Sequence, residues 1–132
     1  MDKVSLVLVS HSKEIADGLK KLLGEMQPEV TIAAAGGEED GGIGTNAEVI
    51  ARAVEEVYTE KGTVILFDLG SALLNAELAL ELAGGKQNVR IADAPMIEGG
   101  LAAVVEAGFG SSVEKTAEAA EKAYEMKKID RS

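Results

Sequence analysis

The chain carries one histidine, His11, and it stands in the run VLVSHS over residues 7–12. A neutral imidazole is a good nucleophile near neutral pH, and a phosphoryl group bound to it transfers onward readily. Further along, a second apolar run ends in Asp68-Leu69-Gly70-Ser71. A carboxylate such as Asp68 can hold one ring nitrogen through a hydrogen bond, fix the tautomer, and aim the other nitrogen outward. Backbone N–H groups from Ser12 onward and at Gly70-Ser71 can receive phosphoryl oxygens, each helix terminus contributing about 0.3–1 kcal/mol. This chemistry needs no metal. A lone histidine commonly only packs or caps, but a strand-to-helix junction flanked by Ser10 and Ser12 is an exposed and polar place for one.

Three segments must meet for that site to exist, and the element pattern brings them together. Val4–Val9 is nearly continuous in β-branched residues and leucine, which suits a central parallel strand covered on both faces. Ser12 can cap a helix carrying Ile15, Leu19, Leu22, Leu23 and Met26 at helical spacing, closed by Pro28. A second strand, EVTIAAA, runs into the glycine-rich loop 36–44. Thr45 and Glu48 read as a capping box ahead of Val49, Ile50, Ala53, Val54 and Val57. TVILFDLG is a third strand, SALLNAELALELAGG a helix and NVRIADAP a fourth strand. Two helices close the chain, MIEGGLAAVVEAGFG and SSVEKTAEAAEKAYEMKKI, the latter opening on a capping box from Ser111 to Glu114.

This alternation predicts an α/β fold: an open, mostly parallel sheet of about four strands with helices on both faces, as one domain over residues 1–132. Ligands in such sheets gather at the carboxyl ends of the strands, where the strand order reverses. His11, Asp68 and loop 36–44 all fall on that edge. One helix is anomalous, because Leu73, Leu74, Leu78, Leu80 and Leu82 do not share one narrow face. Such a helix is either deeply buried or shares its surface with a second subunit, and in a domain this small the dimer contact is the expectation.

Composition excludes several classes. A net charge of -10 with no basic cluster argues against nucleic acid. With no cysteine and one histidine, neither a disulfide framework nor a zinc site is expected. The first apolar run is too short to span a membrane and lacks a signal-peptide layout, so a cytoplasmic location is expected. A receiver-type phosphoacceptor role for Asp68 fails, because Ser10-His11-Ser12 offers no carboxylate to a divalent metal. GGIGTNA satisfies a loose dinucleotide pattern, but it follows Glu38, Glu39 and Asp40, which repel a pyrophosphate. It reads as a mobile surface loop leading to a capped helix. There is no P-loop motif.

VLVSHS at 7–12, GGIGT at 41–45, ILFDLGSALLNAELALEL at 65–82 and APMIEGGLAAVVEAG at 94–108 together resemble the phosphotransferase subunits of phosphoenolpyruvate-dependent dihydroxyacetone kinase, the DhaM family. That family is related in fold to mannose-type enzyme IIA domains. The resemblance implies a cytoplasmic homodimer whose His11 is the phosphoryl-accepting nucleophile. The donor would be phosphohistidine on HPr, charged by enzyme I from phosphoenolpyruvate. The acceptor would be ADP held with magnesium on the kinase's nucleotide-binding subunit, so no cofactor is bound directly by this chain. Asp68 would orient the imidazole, and Ser12, Gly70 and Ser71 would position phosphate. A mannose-type enzyme IIA passing phosphate to a IIB domain is the nearest alternative; DLGSALLNAE and APMIEGG favour the dihydroxyacetone system. On the residues alone, a regulatory module that binds a small anion without turnover also fits.

Overall fold

The computed structural model describes residues 2–131. Strands β1 (Ser5–Ser10), β2 (Ile32–Gly36), β3 (Thr63–Phe67) and β4 (Val89–Ile91) form one parallel sheet in the order β2-β1-β3-β4. Between and after them run helices α1 (Lys13–Met26), α2 (Ala47–Val57), α3 (Leu73–Leu82), α4 (Met96–Gly108) and α5 (Val113–Glu121). The α/β class, the four parallel strands and the helices on both faces are as the sequence predicts.

β1 reads as an unbroken apolar run because both of its faces are covered. Val4, Leu6 and Leu8 pack with Leu19 and Leu23 of α1, Val104 of α4 and Val113 at the start of α5. Val7 and Val9 point the other way, into Ile50 and Val54 of α2 and Ala76 and Ala79 of α3. Each fully buried Leu or Val contributes about 1.5–3 kcal/mol relative to its exposed state, which anchors the strand that carries His11.

α3 settles its own anomaly. Its sheet-facing side is alanine, with Ala76 and Ala79 buried between Ala72 and Ala83, so helix and sheet approach closely. Most of the leucines turn outward: Leu74 is 75% exposed, Leu82 52% and Leu78 45%, while Leu80 is partly buried against the core. α1 likewise buries Ala16, Leu19 and Leu23 while Ile15, Leu22 and Met26 remain half exposed.

Two expected caps shift by one residue. α2 is capped by Asn46, whose side-chain oxygen accepts from the N–H of Glu48 at 2.9 Å and of Val49 at 3.1 Å. Thr45 lies one residue too early and bonds elsewhere. α5 is capped by Ser112, accepting from Lys115 N–H at 3.1 Å, while the Ser111 hydroxyl donates to Glu106. In each case the residue whose extended backbone directly precedes the first helical residue takes the cap. α5 is also shorter than expected, passing into a 3₁₀ turn over Lys122–Glu125.

Candidate functional site

β1 has β2 on one side and β3 on the other, so the strand order reverses at the β1–β3 pair. The two strand ends are locked together: Val9 stands opposite Phe67, and Asp68 N–H donates to the Val9 carbonyl at 3.1 Å. His11 and Asp68 are therefore delivered to the same point on the carboxyl edge by the two innermost strands.

Asp68 is fully engaged. Its Oδ2 accepts from the Ser10 hydroxyl and from His11 N–H, both at 2.9 Å. Its Oδ1 accepts from Leu69 N–H at 2.7 Å and lies 2.9 Å from His11 Nδ1. Burial alone would push this carboxyl up, but the bonds from His11, Ser10 and Leu69 outweigh it and hold Asp68 below the usual carboxylate range. An ionised carboxylate only accepts, so His11 Nδ1 must be the donor. In the neutral ring this leaves the lone pair on Nε2.

Nε2 lies 3.0 Å from the Ser71 hydroxyl, which donates to it in that tautomer. Ser71 stands in a 3₁₀ turn, Gly70–Ala72, that precedes α3, rather than in the first turn of an α-helix as expected. The imidazole is 23% exposed and Ser71 is exposed, so the Nε2 side is open to an incoming group.

The glycine-rich loop departs from expectation. It reads as a free surface loop, yet Gly37 N–H donates to the Ser10 carbonyl at 3.0 Å and Gly44 N–H to the His11 carbonyl at 2.8 Å. Gly36 makes the approach feasible, since a Cβ there would lie 2.6 Å from the Ser12 carbonyl oxygen and 2.7 Å from Lys13 Cα. The main chain of His11 is thus clamped from both sides, by Asp68 on its N–H and by Gly44 on its carbonyl.

Of the five residues singled out by type and spacing, His11, Asp68 and Ser71 converge through side chains. Ser12 has a different task in this geometry. Its N–H bonds the Ser10 hydroxyl at 3.0 Å, and its own hydroxyl accepts from Ile15 N–H and donates to Glu14, both at 3.3 Å. It builds the start of α1 behind the histidine. Gly70 borders a hollow of about 430 Å³ with Phe67, Leu73, Glu77, Ile91 and Asp93. Ser10 is the residue that type and spacing underrate: it is completely buried and supports both Asp68 and Ser12. Among the described residues no group of three or more His, Asp or Glu side chains is arranged to hold a metal ion. The arrangement provides one nucleophilic nitrogen, a fixed anion behind it, and a hydroxyl beside it.

Residues 5–117 match the family model for the PTS system fructose IIA component, EIIA-man. The chain is 40% identical over 114 residues to the DhaM phosphoryl donor subunit of PEP-dependent dihydroxyacetone kinase 2 of Listeria innocua, covering 84% of this chain and 91% of that protein. It is 36% identical over 130 residues to the corresponding DhaM subunit of Providencia stuartii, covering 94% of this chain and spanning 27% of that longer protein. Among solved structures, a protein of unknown function, EF1359, superposes with a TM-score of 0.81 at 32% identity, covering 92% of this chain and 95% of the other.

Proposed function

This chain belongs to the EIIA-man family and to its DhaM phosphoryl donor subunits, and from that membership we propose that it is a phosphohistidine carrier working at His11. The observation that carries the reading is the His11 ring itself, held at Nδ1 by ionised Asp68 with its Nε2 side open beside Ser71.

The lone pair of Nε2 attacks the phosphorus of a phosphohistidine on the donor, HPr. The donor's P–N bond breaks and its electron pair returns to the donor imidazole. The new P–Nε2 bond leaves His11 cationic, still protonated at Nδ1, and Asp68 balances that charge. Ser71, freed from Nε2, turns its hydroxyl to a phosphoryl oxygen. In the second half-reaction a terminal oxygen of ADP, held with magnesium on the nucleotide-binding subunit of dihydroxyacetone kinase, takes the phosphoryl group. The P–Nε2 electron pair then returns to the ring, restoring the neutral tautomer. The metal belongs to the nucleotide on the partner subunit; here positioning and electrostatics do the work.

The relatives' names support the assignment to a PEP-dependent dihydroxyacetone kinase, since both are phosphoryl donor subunits of one. No helix among the described residues is long and apolar enough to cross a membrane, and the carrier works in the cytoplasm with its partners. It works as a homodimer, a state supported by the outward stripe Leu74, Leu78 and Leu82 on α3.

The test is onward transfer. Protein phosphorylated through HPr should lose its phosphoryl group to ADP-loaded kinase subunits, with dihydroxyacetone phosphate formed in step. His11→Gln should support none. Retention of the phosphoryl group on the carrier in the presence of active kinase subunits contradicts the assignment, and loss of it to a IIB domain instead would identify a sugar-transport role.

A further inference from the structure

We propose that Asn75 is a positioning residue for His11, acting through Thr45 and Gly44; the proposal rests on the phosphocarrier reading. The half-buried Asn75 side chain reaches from α3 to the end of the glycine loop, where its Nδ2 donates to Thr45 Oγ1 at 2.8 Å and to the Thr45 carbonyl at 3.3 Å. One amide thus grips both the side chain and the main chain of Thr45. The preceding residue, Gly44, makes the 2.8 Å bond to the His11 carbonyl.

Gly44 needs an external clamp. Its φ is +141°, a conformation open mainly to glycine, so the chain at that point has little intrinsic stiffness. The rest of the loop is held by short turns, Glu38 N–H to Gly42 and Gly41 N–H to the Glu38 carbonyl, and by Gly37 on Ser10. Asn75 supplies the tie to α3. Asn75 stands one helical turn beyond Ser71, which faces the ring at Nε2. A single segment of chain therefore sets the hydroxyl beside the nucleophile and the loop behind it, and fixes the distance between them.

The loop also carries Glu38, Glu39 and Asp40, all exposed. Each has its own partner: Glu39 pairs with Arg52, Glu38 accepts from Asn46 Nδ2 at 3.3 Å, and Asp40 accepts from Gly42 N–H at 2.8 Å. The Asn75–Thr45 tie therefore bears on Gly44 and the His11 carbonyl rather than on these charges.

The experiment compares wild type, Asn75→Ala, the isosteric Asn75→Asp, Thr45→Val and the Thr45→Val/Asn75→Ala pair. Two quantities are read: the rate of phosphoryl uptake from phosphorylated HPr, and amide hydrogen exchange at Gly44. Loss of one such tie should slow uptake by about 3- to 10-fold in both Asn75 variants, with the half-saturating HPr concentration unchanged. Gly44 exchange should accelerate while the amides of β1 stay protected, which separates a loosened loop from an unfolded protein. The double variant should be no slower than Asn75→Ala alone, because both changes act through one link. Wild-type uptake in the Asn75 variants, slowed uptake with Gly44 exchange unmoved, or losses that multiply in the double variant would each overturn the proposal. If wild type itself takes up no phosphoryl group, the carrier reading falls and this proposal with it; indifferent variants of an active wild type sink this proposal alone.

Discussion

Four hydrogen bonds end on the two oxygens of Asp68, and that is the chemical centre of the site. They make Asp68 both an electrostatic partner and a fixed mount for the ring. Asp68→Asn should slow phosphoryl uptake by about 100-fold, the scale of a misplaced reacting group, while His11 still accepts one phosphoryl group at long times. Wild-type uptake rates in that variant would remove Asp68 from the mechanism. The same bonds predict a pH dependence. The folded-state pKa of Asp68 lies below its ordinary value of 3.8, so its ionised form contributes stability above that value and loses it as pH falls through the folded pKa. The stability gap between wild type and Asp68→Asn should therefore narrow below about pH 4, as read from denaturant midpoints; a gap that widens there contradicts the assignment. His11, Asp68 and Ser71 were legible as residue types at strand ends. Ser10, Gly44 and Asn75 were not, because their work is a backbone contact or a bond between segments far apart in sequence, and no spacing rule encodes either.

At the level of elements, close approach matters as much as apolar pattern. Gly36 lies where the start of α1 presses on the end of β2, and a Cβ would meet two backbone atoms that have no room to yield, Ser12 O and Lys13 Cα. Gly36→Ala should cost about 1–3 kcal/mol, the usual scale of overpacking. Gly18→Ala should do the reverse. Gly18 is exposed on α1 with nothing within 4 Å of the added methyl, and helix propensity there favours alanine by about 1 kcal/mol. Equal effects at the two positions in chemical denaturation would contradict this packing account. α3 shows why its orientation was hidden in the sequence: periodicity is read from large side chains, whereas this helix docks through Ala76 and Ala79 and exposes most of its leucines. The caps of α2 and α5 were missed by one residue for a related reason. Thr45-Asn46 and Ser111-Ser112 each offer two competent side chains, and only the backbone conformation chooses between them.

For the molecule as a whole, the alternation of strand and helix made the parallel sheet and its two helical layers readable. The placement of β3 beside β1, which creates the site, required tertiary structure. The remaining large-scale feature is the outward leucine stripe of α3 beside a groove of about 570 Å³, lined by Ala47, Ala51, Leu78 and Leu82 and by the charged Glu48, Arg52 and Glu55 of α2. A second copy packed there would cover it. Leu74→Glu with Leu78→Glu should convert a dimer to a monomer in sedimentation while leaving the isolated fold intact, since both side chains are substantially exposed in the single chain. A wild type that sediments as a monomer at micromolar concentration, or a doubly substituted protein that still dimerises, would contradict that use of α3.

The proposed reaction places the phosphoryl group on Nε2 of His11. Its most direct test is to charge the protein through phosphoenolpyruvate, enzyme I and HPr, weigh it intact, and identify the substituted ring nitrogen by NMR. One added phosphoryl group is expected, labile in acid and stable in base, on Nε2 of wild type and absent from His11→Gln. No added mass under conditions that charge a known carrier, a phosphoryl group retained in His11→Gln, or one found on Nδ1 would contradict it.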